Sequence, residues 1–269
     1  MDHRATRNRG IIDGITNRRV RPAMSLRHHE IAEANHRILD PFTDEKLRLL
    51  GEVARVRAGT RILDLACGKG EMLCRWADWF GSGGVGVDLS HVFLAAAHAR
   101  AAELGVADRV TFVQGDAAAY EAEPGAFDIA SCLGATWIGN GLAGTMALLR
   151  PAIRDGGLLI VGEPYLIEEP PAEAFAAWGF GPDDYTSLAG TAERLDAAGL
   201  ELLEMVLADA GSWDRYEAQH WPTIADWLAA NPDDPDHAEM RGILDRDRRT
   251  YLRWGRRYLG WGVFVTRPR

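Results

Sequence analysis

The chain has 269 residues, 47% of them hydrophobic, and a formal charge of −9, enough material to bury a sizeable core in one large domain or two small ones. No apolar run approaches the roughly 20 residues needed to cross a bilayer: residues 157–161 are soon followed by Glu163 and Pro164, so a membrane-spanning role is not expected. Removing residues 1–23, with six arginines against two aspartates, leaves thirteen net negative charges on the remainder; such a body repels a phosphate backbone, and nucleic acid is not expected as a partner.

Residues 1–23 have no apolar stretch of the kind a secretory signal carries. They read as a disordered basic leader, or as sequence upstream of a start at Met24. Residues 24–269 then read as a single domain. Between Leu26 and Val56, apolar residues recur at helical spacing (Ile31, Ile38, Leu47, Leu50, Val53, Ala54), and Asp40-Pro41 breaks the pattern. This predicts two helices within 25–57. Beyond them, β-rich runs at 61–65, 84–87, 110–114, 127–132 and 158–162 alternate with helical stretches at 71–80, 91–104 and 142–153. Such alternation predicts an α/β fold with a mostly parallel sheet and right-handed crossovers.

Two further strands are predicted at 200–208 and 262–266, separated by too many residues for a hairpin. The intervening 209–259 is rich in aromatics (Trp213, Tyr216, Trp221, Trp227, Tyr251, Trp254, Tyr258), with a Pro/Asp break at 231–236, and reads as a helical cap insertion. A second insertion, 164–190, carries Phe175, Trp178, Phe180 and Tyr185 directly after the fifth strand, on the sheet edge where α/β proteins bind ligands. The two insertions are expected to roof one pocket.

The strongest local signal is Ile62-Leu63-Asp64-Leu65-Ala66-Cys67-Gly68-Lys69-Gly70, an apolar strand ending in a carboxylate and running through glycines into a helix. Glycines there let a ligand approach the backbone and permit positive φ. About twenty residues on, Val85-Gly86-Val87 ends in Asp88, placed to accept hydrogen bonds from ribose hydroxyls. The third strand leads into Gln114-Gly115-Asp116-Ala117, a third acid at a strand end and suited to an adenine amino group. An incidental strand-to-helix turn would not account for all three.

These motifs resemble the class I S-adenosylmethionine-dependent methyltransferases, whose first motif runs acid-x-Gly-x-Gly-x-Gly; here Ala66 stands at the first glycine. Leu149-Arg150-Pro151 and Asp155-Gly156-Gly157 are similar to the segment preceding the family's fifth strand. The resemblance implies a Rossmann-like, seven-stranded sheet whose last strand inserts antiparallel, and S-adenosyl-L-methionine as cofactor. It also implies that Asp64, Ala66, Gly68 and Gly70 surround the methionine part, Asp88 the ribose, and Asp116 and Ala117 the adenine, with Leu89 and Leu133 also beside the cofactor. Within the family, 132–141, 162–165 and 260–264 look like a poorly characterised bacterial branch acting on small molecules.

Methyl transfer is an in-line displacement, so holding the nucleophile against a sulfonium in a dry site supplies most of the acceleration. If the acceptor loses a proton, His36, Glu163 or His220 are the candidate bases, and Trp137, Tyr165, Trp213 and Tyr216 are candidate pocket walls. His28, His29 and His36 suggest a metal, but beyond Glu33 no nearby carboxylate or cysteine completes a set, and none is expected. Cys67, Cys74 and Cys132 are an odd number without paired ligand spacing, which fits a reducing cytoplasm. A nicotinamide-dependent oxidoreductase and a non-catalytic cofactor-binding protein remain as alternatives; the first would usually carry a third glycine where Leu73 stands.

Overall fold

The computed structural model describes residues 24–269, and the reading of 1–23 as a basic leader lies outside them. Helix α1 (Leu26–Ala32) starts where the Ser25 side chain accepts a hydrogen bond from the His28 N–H, and α2 (Asp44–Val53) where Thr43 accepts from Lys46; each hydroxyl satisfies one of the amide groups a helix start leaves unpaired. β1 (Arg61–Leu65), β2 (Gly83–Asp88), β3 (Val110–Gln114) and β4 (Phe127–Leu133) follow, connected by α3 (Glu71–Phe80) and α4 (His91–Glu103) and by irregular chain after β3.

α5 (Leu142–Leu149) leads to the long β5 (Ile153–Leu166), then α6 (Ala172–Trp178), α7 (Leu188–Ala197) and β6 (Leu200–Leu207). α8 (Ala210–Ala230) and α9 (His237–Thr250) precede β7 (Leu259–Pro268). The sheet order is β3-β2-β1-β4-β5-β7-β6, with β7 antiparallel to both neighbours. The alternation predicted the α/β fold, and the seven-stranded Rossmann-like sheet with an antiparallel last strand is the one the resemblance implied.

Both sheet faces are covered. Ile62 joins Leu47, Leu50, Trp76 and Ala97 beneath α2, α3 and α4, whereas Leu63 and Leu65 face Met146, Leu149 and Leu195 of α5 and α7; period-two alternation sends successive side chains to opposite sides. A separate apolar cluster packs Ile31 and Ala32 of α1 against Ile224 and Leu228 of α8 and Met240, Ile243 and Leu244 of α9. Arg27 adds ion pairs to Asp234 and Asp236 in the turn between α8 and α9. These three helices form a roof at the end of the sheet.

The insertion 164–190 differs from its expected role. β5 continues to Leu166, and the Phe175, Trp178, Phe180 and Tyr185 rings pack on one another, with Trp178 and Phe180 stacked at 5.0 Å. Aromatic faces satisfied in this way have no need of a ligand, and no residue of this segment lines the main cavity. Among the described residues, no helix is long and apolar enough to cross a membrane.

Candidate active site

A cavity of about 880 Å³ opens at the carboxyl ends of β1 to β4, beneath α1, the chain joining α1 to α2, and Tyr216 of α8. This is the crevice where open α/β sheets bind ligands. At its floor the turn after β1 holds three residues in the left-handed region: Ala66 at φ 58°, Gly68 at 53° and Gly70 at 65°. A Cβ on Gly68 would lie 2.7 Å from Leu39, so the roof chain is seated directly on this turn. A Cβ on Gly70 would meet the Phe112 ring at 2.5 Å. Gly70 therefore serves the turn and the helix packing, and it does not line the cavity, unlike Asp64, Ala66 and Gly68.

Alanine in the left-handed region costs about 1–2 kcal/mol, and glycine avoids it at a backbone-entropy cost of roughly 0.5–1 kcal/mol. Ala66→Gly should therefore stabilise the protein by about 0.5–1 kcal/mol. A urea melt reads this as a higher midpoint at unchanged slope, and a lower midpoint would refute it.

The acids converge from separate strands. Asp64 is buried and its Oδ1 accepts from the Ser131 hydroxyl at 2.8 Å; burial pushes its carboxyl up to about 7. Asp88 accepts from the Gly68 and Ser90 amides, each at 2.8 Å, and burial raises it too. Asp116 accepts from the Ala118 amide at 2.9 Å. Asp116, Ala117, Leu89 and Leu133 also line the cavity.

Overhead lies Asp40, which the sequence presented only as half of an Asp-Pro break. Its half-buried carboxyl lines the cavity, and burial together with the nearby Asp64 and Glu33 pushes it up to about 8. The backbone of Gly134, at φ 74° just beyond β4, leaves the space it occupies: a Cβ there would lie 2.5 Å from Asp40 Oδ1. Lys69 and Glu71 anchor this roof. Lys69 Nζ donates to the carbonyls of Glu33, Ala34 and His36 at 2.8, 2.9 and 2.6 Å, and Glu71 receives Arg37, Arg75 and Arg100.

Of the proposed pocket walls, Trp137 and Tyr216 line the cavity. Tyr165 lies instead against Gly260 of β7, and Trp213 packs on the core beneath α2 to α4. None of the three candidate bases is on the lining. Glu163 is buried behind the 134–141 loop, where it hydrogen-bonds Thr136 and burial pushes it up to about 7. His36 and His220 meet behind Tyr216, gathered around Glu33, a residue the sequence did not pair with His220.

Residues 62–157 match the family described as Methyltransferase domain. The chain is 48% identical to the uncharacterised protein YjhP of Escherichia coli (strain K12) over 237 residues, 87% of this chain and 95% of that protein. It is also similar to the SAM-dependent methyltransferase from Geobacter sulfurreducens, whose crystal structure is a complex with S-adenosyl-L-homocysteine; the TM-score is 0.88 at 46% identity, over 91% of this chain and 99% of that one. The chain belongs to the class I S-adenosylmethionine-dependent methyltransferases.

The methyltransferase is further 29% identical over 182 residues to the 27-O-demethylrifamycin SV methyltransferase of Amycolatopsis mediterranei (strain S699), 65% of this chain and 66% of that enzyme. Membership sets aside the nicotinamide and non-catalytic alternatives. The donor set fits S-adenosylmethionine: three carboxyls, Asp40, Asp64 and Asp88, are held in a desolvated cavity that raises all three, and a sulfonium cation would relieve their cost of ionisation.

Proposed function

We propose that this methyltransferase methylates a small molecule held beneath α1 and α8, with Asp40 accepting the proton the acceptor gives up. The cavity carries the reading. At about 880 Å³ it lies toward the upper end of small-ligand pockets, roughly 300–1,000 Å³, a volume for a cofactor with a compact partner rather than a groove for a polymer. The Amycolatopsis relative, whose name gives a small-molecule acceptor, supports the same class.

S-adenosylmethionine supplies an electrophilic methyl group on a sulfonium. The acceptor's lone pair forms the new bond to carbon as the carbon–sulfur bond breaks, the electron pair stays on sulfur, and the proton passes to Asp40. Asp64, Ala66 and Gly68 hold the methionine part in this reading, Asp88 the ribose, and Asp116 and Ala117 the adenine, with Leu89 and Leu133 alongside. Trp137 and Tyr216 wall the acceptor side. His36, Glu163 and His220, being off the lining, are not assigned the proton.

The test incubates the enzyme and methyl-labelled S-adenosylmethionine with a bacterial extract separated into small-molecule, protein and nucleic-acid fractions. Label in the small-molecule fraction is expected; label confined to protein or nucleic acid overturns the reading. Gly134→Ala tests the position of Asp40. The added Cβ collides with the carboxyl and displaces it, and a misplacement of about 1 Å costs on the order of 100-fold. Turnover on the acceptor so found should fall by about that factor, with S-adenosylmethionine affinity by calorimetry falling far less, since Asp64 and Asp88 remain in place beside the sulfonium.

A further inference from the structure

Behind Tyr216, outside the cavity lining, Glu33 at the end of α1 faces two imidazoles from distant parts of the chain. His220 Nε2 is 2.9 Å from Glu33 Oε1, and His36 Nδ1 is 3.1 Å from Glu33 Oε2. His36 Nε2 lies 2.9 Å from the Tyr216 carbonyl oxygen, which only accepts, so Nε2 carries the hydrogen and Nδ1 of the neutral ring presents a lone pair. That lone pair points at a carboxylate oxygen, another acceptor. Neither atom has a hydrogen-bond partner among the described residues, and both residues are more than nine-tenths buried.

His220 is held in a related way: the Glu217 backbone bonds its ring, and its Nε2 sits at hydrogen-bond distance from Glu33 Oε1, a contact in which a bound ion would take the place of the ring hydrogen. A ring nitrogen that donates to a backbone carbonyl and leaves the other nitrogen bare is how proteins orient histidine toward a metal ion. One donor atom from each of the three residues lies within 4.8 Å of the others. In tetrahedral coordination with bonds near 2.0–2.1 Å, donors stand about 3.3 Å apart, so small outward shifts of the two rings make room for an ion.

We propose that Glu33, His36 and His220 bind a divalent transition-metal ion that fastens α1 to α8 and closes the roof over the cavity. Two imidazoles and one carboxylate suit zinc, cobalt, nickel or ferrous ions over magnesium or calcium. The ion supplies a positive charge between the two unpartnered atoms, His36 Nδ1 and Glu33 Oε2, and displaces the hydrogen that His220 shares with Glu33 Oε1. Lys69, the nearby cation, spends its ammonium on three backbone carbonyls, and the Tyr216 hydroxyl, 2.7 Å from Glu33 Oε1, leaves Oε2 unpartnered. The sequence hid the set because Glu33 and His220 are 187 positions apart.

The test titrates untagged, metal-stripped protein with Co²⁺ alone. One equivalent should bind, with visible absorption, and two of the eight histidines should show hyperfine-shifted ring resonances in ¹⁵N-histidine NMR. Glu33→Gln and His220→Gln should each weaken binding at least tenfold, whereas His29→Gln, on the same helix but outside the trio, should leave it unchanged. The wild-type NMR result stands even where a variant fails to fold. Absence of saturable Co²⁺ binding, shifts on histidines other than His36 and His220, or imidazolium signals from both rings in the metal-free protein that Co²⁺ leaves unmoved would overturn the proposal.

Discussion

Asp40→Asn should lower methyl transfer by about 10²–10⁴-fold, the usual contribution of a positioned general base, while S-adenosylmethionine still binds. Asparagine keeps the shape beside Gly134 but takes no proton. The pH profile sharpens the test. Asp40 is a base only when ionised, and burial, Asp64 and Glu33 push it up to about 8, so kcat/KM should climb with pH through that region and level above it. A bound sulfonium favours the ionised form, so the kcat profile should break at lower pH than kcat/KM. In Asp40→Asn both breaks should vanish; retention of wild-type turnover or of the same profile would remove Asp40 from the mechanism.

The same groups set how stability depends on pH. Asp40 and Asp64 have ordinary values of 3.8 and stand at about 8 and about 7 in the fold. The folded state therefore holds more protons than the unfolded chain between about pH 4 and 8, and stability falls as pH rises across that window. Their stabilising contribution is complete below the ordinary value and gone above the raised ones. Asp40→Asn should make the slope of melting temperature against pH shallower, and S-adenosylmethionine should do the same in the wild type by favouring both carboxylates.

What could be read from the sequence was whatever local chemistry determines. β1, β3 and α3 begin and end where the apolar runs, the terminal acids and the glycine stops place them, because alternation and helical spacing are properties of neighbouring residues. Asp64, Asp88 and Asp116 were legible for the same reason, each ending or directly following a strand. Gly70 looked like a ligand contact, yet the space it vacates belongs to Phe112 on β3, a neighbour no local pattern names.

Asp40 was missed because Asp-Pro reads as a break; its carboxyl acquires a direction only when Gly134 leaves it room across the cavity. Tyr165 was placed in the pocket on the expectation that β5 ends near Gly162. The strand instead continues along β7 to Leu166, which carries the ring away from the site. The aromatics of 164–190 were likewise assigned to a ligand, where the fold pairs them with one another.

Asp88→Ala should weaken S-adenosylmethionine binding by about 10- to 100-fold, the 1.4–2.8 kcal/mol expected when a charge-assisted hydrogen bond is lost. Two routes lead to such a loss. Asp88 could act on the ribose, or it could act only by holding the Gly68 and Ser90 amides, so that its removal loosens the turn after β1. A cofactor analogue lacking the ribose hydroxyls separates them. If Asp88 meets the ribose, the analogue binds wild type more weakly but binds Asp88→Ala no more weakly than S-adenosylmethionine does, since the partner is already gone and the two losses are not additive. Fully additive losses in calorimetry would instead make Asp88 a support of the turn and move ribose recognition to another group on the cavity wall.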